Sequence, residues 1–408
     1  MRNARWVVGL GLAVWMGWGL GVAVYGQTME TSEGQTPINQ EANDMKTTEL
    51  MLFSLPYGFT SSPVDIHVYL STQFWNYEYQ ALGKYANEGS SASGHSTIIP
   101  YSGYIDLASR VREDLKVEAE FELYKGESIK VCRLRGVWQP KPWLALSLGR
   151  DFGIIGLQDK LYYPTSKYKL FTIPPFLHLN VIRYTGWWDS GAFLHGEVPF
   201  PFLSEDGKVN LDVSVANGPG STAAVVKKNA QGYMYEYFHD TARQASDNNN
   251  DKPVAVRCSV APWKGLEFGG SYLNAKWDPD DRYFAQYTFS HFLFNYDRIT
   301  VVAEYGQLKL DTPADGKVTQ FSGYIAAGYE IFKNLPYLEA LQPVVRYEQM
   351  DSWKEDPTGK EFRESISAGL RYLPCKGWQI KMAYQVIQEP KGPKLDNNGF
   401  AAEAVFEF

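Results

Sequence analysis

The sequence predicts an all-β protein, a transmembrane antiparallel β-barrel of about sixteen strands. Three observations lead there. The first is the stretch Gly399–Phe408, in which Phe400, Ala402, Ala404, Phe406 and Phe408 share one face and Ala401, Glu403, Val405 and Glu407 the other. Side chains on a strand alternate between faces, so this is a strand with one apolar and one charged side. A soluble sheet has little reason to finish on Phe-x-Phe, whereas barrel-assembly machinery reads a terminal strand of this kind, with Phe400, Phe406 and Phe408 as the expected signal. The second is the recurrence of the same two-residue period along the chain, in segments of about ten residues. The third is that no run of about 18 apolar residues follows Gly26, so no helix is expected to cross a bilayer. In lipid only helices and closed barrels satisfy every backbone polar group.

The chain opens on Arg2 and Arg5, an apolar run from Trp6 to Val24, and the small-x-small stretch Val24-Tyr25-Gly26. This pattern predicts a secretory signal over 1–26, cleaved before Gln27, with no cysteine near the site for lipid attachment. Residues 27–62 are polar, apart from Leu50–Leu55, and read as a periplasmic lead-in; 63–408 is the barrel. Hydrophobic residues make up 44% of the chain and charged residues 21%, which excludes disorder. The 27 Tyr and 12 Trp suit membrane–water interfaces, where a ring has one dry and one wet end. The formal charge of −7 becomes −9 without Arg2 and Arg5, the wrong sign for general nucleic-acid binding. Cys132, Cys258 and Cys375 are odd in number and widely spaced, so neither a disulfide framework nor a metal site is signalled. Cys132 and Cys258 are expected on outward positions.

The strands follow in order. Val64, Ile66, Val68 and Leu70 alternate with Asp65, His67 and Ser71. Ile105, Leu107 and Val111 alternate with Asp106, Arg110 and Arg112. Leu115, Val117, Ala119, Phe121 and Leu123 alternate with Lys116, Glu118, Glu120 and Glu122. The period continues near 129–138, 143–151, 190–198, 207–217, 253–262, 265–275, 283–293, 297–309, 318–331, 340–351, 364–373, 377–388 and 399–408. Phe176–Gly186 alternates weakly and would make a seventeenth. Bacterial single-chain barrels have an even strand number, short periplasmic turns and long outer loops. Counting back from the C-terminus and forward from the N-terminus gives one consistent topology only if 152–189 is a single long extracellular loop. Loops 76–100 and 218–252 are then also extracellular.

The enzyme motifs tested for do not occur: there is no H-E-x-x-H, G-x-S-x-G or P-loop. His67, His95, His178, His195, His239 and His291 read as scattered structural residues, and no cofactor is implied. Asp247–Asp251 and Asp278–Asp281 lack the spacing of a calcium loop and read as solvated tips. The inward positions carry the chemistry. They include Arg110, Arg112, Lys116, Arg133, Arg135, Arg257, Arg298, Arg346, Arg371 and Lys381. They also include Asp106, Glu118, Glu120, Glu122, Glu304, Glu330 and Glu348. Mixed charge of this kind holds an aqueous lumen open. Between Arg150 and Arg183, the cations Arg150, Lys160, Lys167, Lys169 and Arg183 face only Asp151 and Asp159. Rings of Arg and Lys are how anion pores are built, and the planar Arg fork suits phosphate.

Several stretches resemble the phosphate-selective porin O and P family of outer-membrane porins. They are Leu341-Gln-Pro-Val-Val-Arg-Tyr-Glu348, Ala303-Glu-Tyr305, Ser367-Ala-Gly-Leu-Arg-Tyr372 and Val213-Ser-Val-Ala-Asn-Gly218. Leu134-Arg-Gly-Val137, Leu146-Ser-Leu-Gly-Arg150 and Ser190-Gly-Ala-Phe-Leu-His-Gly196 fit the same pattern. The likeness covers roughly 100–408 and rests on the shared order of short matches. It implies a sixteen-stranded barrel in the bacterial outer membrane, a homotrimer, and one loop folded inward to narrow the pore. The expected function is passive diffusion of small hydrophilic solutes, leaning toward anions, with lipid and the assembly machinery as partners. Two other classes compete: a binding or adhesion barrel working through loops 76–100 and 218–252, and a barrel hydrolase using His195 or His291.

Overall fold

The computed structural model describes residues 64–77, 97–124, 128–181, 187–201, 204–219, 249–312, 316–335, 338–352, 354–355, 362–391 and 398–408. The expected signal segment, the lead-in, most of loops 76–100 and 218–252, His95, His239 and Arg183 lie outside the described residues.

Strands β1 (Val64–Tyr77), β2 (Thr97–Arg112), β3 (Leu115–Tyr124), β4 (Ser128–Lys141) and β5 (Leu144–Phe152) lead into a long segment carrying two helical turns, α1 (Gln158–Leu161) and α2 (Phe176–Asn180). Strands β6 (Trp188–Pro199), β7 (Lys208–Ala216), β8 (Val254–Trp263), β9 (Leu266–Lys276), β10 (Phe284–Tyr296), β11 (Ile299–Thr312) and β12 (Gly316–Tyr329) follow. The chain continues through β13 (Phe332–Leu335), β14 (Leu338–Asp351), β15 (Phe362–Cys375), β16 (Trp378–Gln388) and β17 (Gly399–Glu407). Each strand pairs antiparallel with the next, and β17 returns to β1, so the sheet is closed. The four-residue β13 only adds to the end of β14, while β12 pairs with β14 directly. Sixteen strands therefore form the wall, in the positions that the alternation predicts; β13 falls within the expected turn 332–339. Of the candidate Phe176–Gly186, the described residues 176–181 form no strand, and Phe176–Asn180 are α2.

Closure leaves no strand edge to bond elsewhere. The seam runs from Tyr69 opposite Glu407 to Tyr77 opposite Gly399. Two-residue turns join β2 to β3, β4 to β5, β8 to β9, β10 to β11 and β15 to β16 at one end. Gly265 has φ +93°, and a Cβ there would lie 2.1 Å from the Asn295 carbonyl oxygen, so the turn requires glycine. The outer face is apolar: Leu148 is 59% exposed and Ile366 54%. An area of this kind suits lipid. No described helix is long and apolar enough to cross a membrane.

Two local irregularities correct the sequence reading. In β4 the register slips, so that Glu120 faces Arg133 and Phe121 faces Val131, leaving Cys132 as an extra residue. This β-bulge turns Cys132 inward, where its Sγ accepts from the Tyr162 hydroxyl at 3.6 Å. Strict alternation had placed it outside. In β2 a slip between Arg110 and Arg112 sets Arg112 opposite outward Leu115. Arg112 binds Asp114, which also accepts from Trp138 Nε1, so Arg112 belongs to the turn-end rim and not to the lumen. The paired guanidinium holds the exposed Asp114 below the usual carboxylate range. Arg298 and Glu330, also expected inside, lie just beyond strand ends, where Arg298 donates to the Ile331 carbonyl and Glu330 pairs with Lys333.

Candidate functional site

The wall from β2 to β5 carries charge at successive lumen-facing positions because β3 alternates Lys116, Glu118, Glu120 and Glu122 with apolar residues. Glu118 is held by Lys116 and Arg135. Arg135 also binds Asp151, and Arg133 lies 3.5 Å from Asp151 and 3.7 Å from Glu120. The Arg133 guanidinium covers the Phe152 ring at 5.1 Å. Arg110, opposite Lys116, completes this ladder at its exposed end.

The wall from β9 to β12 is different. Its lumen face carries Leu273, Tyr287, Phe289, Leu308, Leu310 and Val318, all buried. What buries them is the segment after β5. Ile155, Leu157, Leu161, Leu170, Phe171, Ile173, Phe176 and Leu177 form one apolar cluster with this wall. Gly306 makes the approach possible, since a Cβ there would sit 2.6 Å from Leu177 Cδ1.

Residues 153–181 cross the interior. At one arc Tyr163 donates to Glu120 of β3, stacks near Tyr69 of β1, and Tyr162 packs on Tyr104 and Trp188. At the opposite arc the Leu157 amide donates to Glu304 of β11 at 2.6 Å, and His178 Nε2 meets the same carboxylate at 3.0 Å. The Phe176 amide donates to Glu348 of β14, and the Gly156 amide to Ser271 of β9. The expectation that one long loop folds toward the pore describes this segment, which reaches the wall on nearly every side.

The predicted cations divide by what they touch. Arg257 holds Asp212, Asp159 and the Gly156 carbonyl. Burial alone would raise the Asp159 pKa; the Arg257 guanidinium holds it below its ordinary value instead. Lys160 lies 3.9 Å from Glu267. Lys169 donates to the Tyr162 carbonyl at 3.1 Å, and burial pushes its pKa down. Lys167 is exposed, 5.1 Å over the Tyr168 ring. Arg346 donates to the Ile173 carbonyl at 2.6 Å and covers the Phe171 ring. Arg371 reaches the Thr165 carbonyl at 3.5 Å, and Lys381 the Pro164 carbonyl at 2.6 Å. The strand register sets Arg150 opposite exposed Leu134 and opposite Ser190, on the other face from Asp151; that corrects its expected place in the lumen. Phe400 and Phe406 lie on the outer face of β17, with Phe406 stacked on Trp378 at 5.3 Å and Phe400 beside Phe74. Phe408 is 71% exposed.

The sequence reading takes His178 for a scattered structural residue and does not single out Tyr163. Both are loop anchors. The signal available was inverted polarity in β10: Tyr287 and Phe289 face the lumen, while Gln286, Thr288 and Ser290 face outward. An apolar lumen face needs a cover. His195 Nδ1 lies 2.6 Å from Asp212, and among the described residues no hydroxyl bonds His195.

No protein-family model matches the chain, and no curated protein matches it. Solved structures do. An anion-selective porin from Comamonas acidovorans aligns with a TM-score of 0.56 at 10% identity, covering 85% of this chain and 100% of that one. The outer membrane channel DcaP of Acinetobacter baumannii aligns at 0.55 and 9% identity, covering 88% and 100%. OmpT of Vibrio cholerae, in its trimer form, aligns at 0.53 and 13% identity, covering 85% and 99%. The chain shares the fold of outer-membrane barrels.

Proposed function

We propose that the protein is an outer-membrane porin, a passive channel for small hydrophilic solutes. The observation that carries this reading is a closed sixteen-stranded barrel whose interior is lined by charge and entered by a long wall-anchored segment. In this reading residues 1–26 direct export, Phe400, Phe406 and Phe408 are read during insertion, and the protein resides in the bacterial outer membrane.

Selectivity on this reading is weak and leans to anions. Most lumen cations already hold a carboxylate, which limits the field they offer a passing ion. The lean comes from Lys167, and from Arg371, which holds only Gln379 and a carbonyl. Arg110, Arg133, Arg135, Arg257 and Arg346 contribute the remaining positive side of a transverse field. Phosphate as the favoured anion follows from the sequence resemblance, and from the way guanidinium groups bind oxyanions. We further propose a homotrimer. Gln286, Thr288 and Ser290 make the middle of the outer face of β10 polar, between Phe284 and Phe292, which suits a neighbouring protomer better than lipid.

Single-channel recording in a planar bilayer under a salt gradient tests all but the last point. Discrete conductance steps, a reversal potential displaced slightly toward anions, and block of chloride current by phosphate are expected. Lys167→Glu should reverse the displacement. Absence of conductance under every condition would remove the channel reading.

A further inference from the structure

We propose that residues 153–181 are a displaceable plug, that this structure is the closed state of the channel, and that a small oxyanion opens it by replacing plug carbonyls on Arg346, Arg371 and Lys381. The inference rests on the channel reading above and names how that channel is regulated.

The segment does more than narrow the lumen. It bonds or packs against β1, β2, β3 and β4 through Tyr162 and Tyr163. It reaches β8 and β9 through Asp159 and Gly156, and β11 and β14 through Leu157, His178 and Phe176. Pro164 meets β16. A segment held on so much of the circumference leaves little section for hydrated solutes.

The contacts on β14–β16 are chemically mismatched. Arg346, Arg371 and Lys381 are 2%, 7% and 1% exposed, and each holds a neutral carbonyl of the plug. The nearby carboxylates are shared with other donors. Glu348 accepts from Phe176 N, Ser365 and Gln385, and Glu403 from Ser71 and Gln73. Arg346 and Lys381 keep contact with them at 3.1 and 3.2 Å, but Arg371 binds Gln379 and the Thr165 carbonyl instead. Three cations thus stand against two carboxylates. Beside them, Ser367 Oγ, both polar atoms of the Gln342 side chain, and Arg346 Nε are buried without a hydrogen-bond partner. Ser367 lies directly opposite Arg346, and Gln342 opposite Arg371.

A buried polar group without a partner is costly, and a charge-assisted hydrogen bond is stronger than a neutral one. The docked plug therefore covers donors that it does not satisfy. An oxyanion offers them several acceptor oxygens and a negative charge. Phosphate, sulfate or a small carboxylate fits this description; a neutral sugar does not. The apolar packing on β9–β12 supplies the opposing force that keeps the plug home when no anion is present.

The test uses full-length protein in detergent micelles, with Ser367→Cys placed in a Cys132→Ser/Cys258→Ser/Cys375→Ser background. Reaction with a water-soluble thiol reagent is followed at constant ionic strength. Labelling should be slow in chloride and rise about tenfold with inorganic phosphate, and the rise should vanish in Arg371→Gln. Should the substituted chain fail to fold, trypsin cleavage after half-buried Lys169 in the unaltered protein gives the same reading. Equal rates in chloride and phosphate, or fast labelling in both, overturn the proposal. Conductance recorded in parallel keeps the two ideas apart. A channel that conducts while Ser367→Cys ignores phosphate loses the oxyanion-released plug and remains a porin. A protein that never conducts, even as Glu304→Ala with its plug anchors cut, loses the channel reading itself.

Discussion

On β2–β5 the lumen-facing positions include Asp106, Lys116, Glu118, Glu120, Arg133 and Asp151, whereas on β9–β12 a patch of Leu273, Tyr287, Phe289, Leu308, Leu310 and Val318 interrupts polar positions such as Ser271 and Glu304. The same barrel geometry serves both. The charged sector satisfies itself through cross-strand ion pairs, so it can face water or protein. The apolar sector cannot face water at reasonable free energy, and the segment after β5 covers it. The charged sector behaves as wall, and the apolar sector as a docking surface.

The largest effect should come from violating what the two sectors share, an outer face for lipid. Leu107 and Ala108 are neighbours on β2 that point outward and inward. Leu107→Arg should lose about 2–4 kcal/mol near mid-bilayer and deplete the heat-modifiable folded band on a gel. Ala108→Arg lies opposite Glu118 and should fold. Equal yields would put the faces one residue out of step.

Next comes the docking surface alone. Leu308→Ala removes buried apolar contact and should loosen the segment by about 2–5 kcal/mol, read as faster tryptic cleavage at Lys160 and Lys169 in an intact barrel. Thr288→Ala, on the outer face of the same sector, should stay within about 0.5 kcal/mol of the parent. Uncoupled behaviour, with the barrel melting before the segment is cut, would make the two a single unit.

The charged sector answers to a smaller perturbation. Arg135→Gln leaves Glu118 and Asp151 with less compensation. The reversal potential in a salt gradient should move toward cations, by about twofold in permeability ratio, or roughly 0.4 kcal/mol. No movement would place the ladder off the ion path. Smallest of all, Cys132→Ser keeps a small group beside the Tyr162 hydroxyl and should change stability by less than about 0.5 kcal/mol.

The contrast also explains what the sequence disclosed. Strands with one wet face announce themselves: β3 alternates from Leu115 to Leu123, β17 sets an all-apolar face against one that carries Glu403 and Glu407, and their faces follow directly from the residues. The wall count was legible for that reason, and so was the long segment between β5 and β6. Two kinds of information were not local. A bulge shifts Cys132 by one position with no composition change to mark it, and the slip at Arg112 is equally silent. The partners of the lumen charges depend on which loop atoms arrive opposite them. Glu120 illustrates the point. Its alternation suggests a position that takes any charge, yet it is fully buried between Tyr163 and Arg133, and an Arg there would face Arg133. The segment's positive count likewise looked like a free anion ladder, while Lys160 and Lys169 are occupied by Glu267 and the Tyr162 carbonyl.

The seam between β1 and β17 has a bearing on the order of events during folding. Val68 and Phe408 exchange two backbone hydrogen bonds, at 2.9 and 3.1 Å, from opposite ends of the described chain. Every other wall contact joins strands adjacent in sequence, so hairpins can accumulate with short loop closures. The seam cannot form until all of them are in place. Before that moment the growing sheet has two unsatisfied edges, which lipid tolerates poorly. The anchors of segment 153–181 lie on strands from β1 to β16, so its full set of wall contacts exists only once the seam has closed. Closure is thus the committing step: a chain that stalls before it is an open sheet with two unpaired edges, and one that completes it gives the long segment its whole ring of anchors at once.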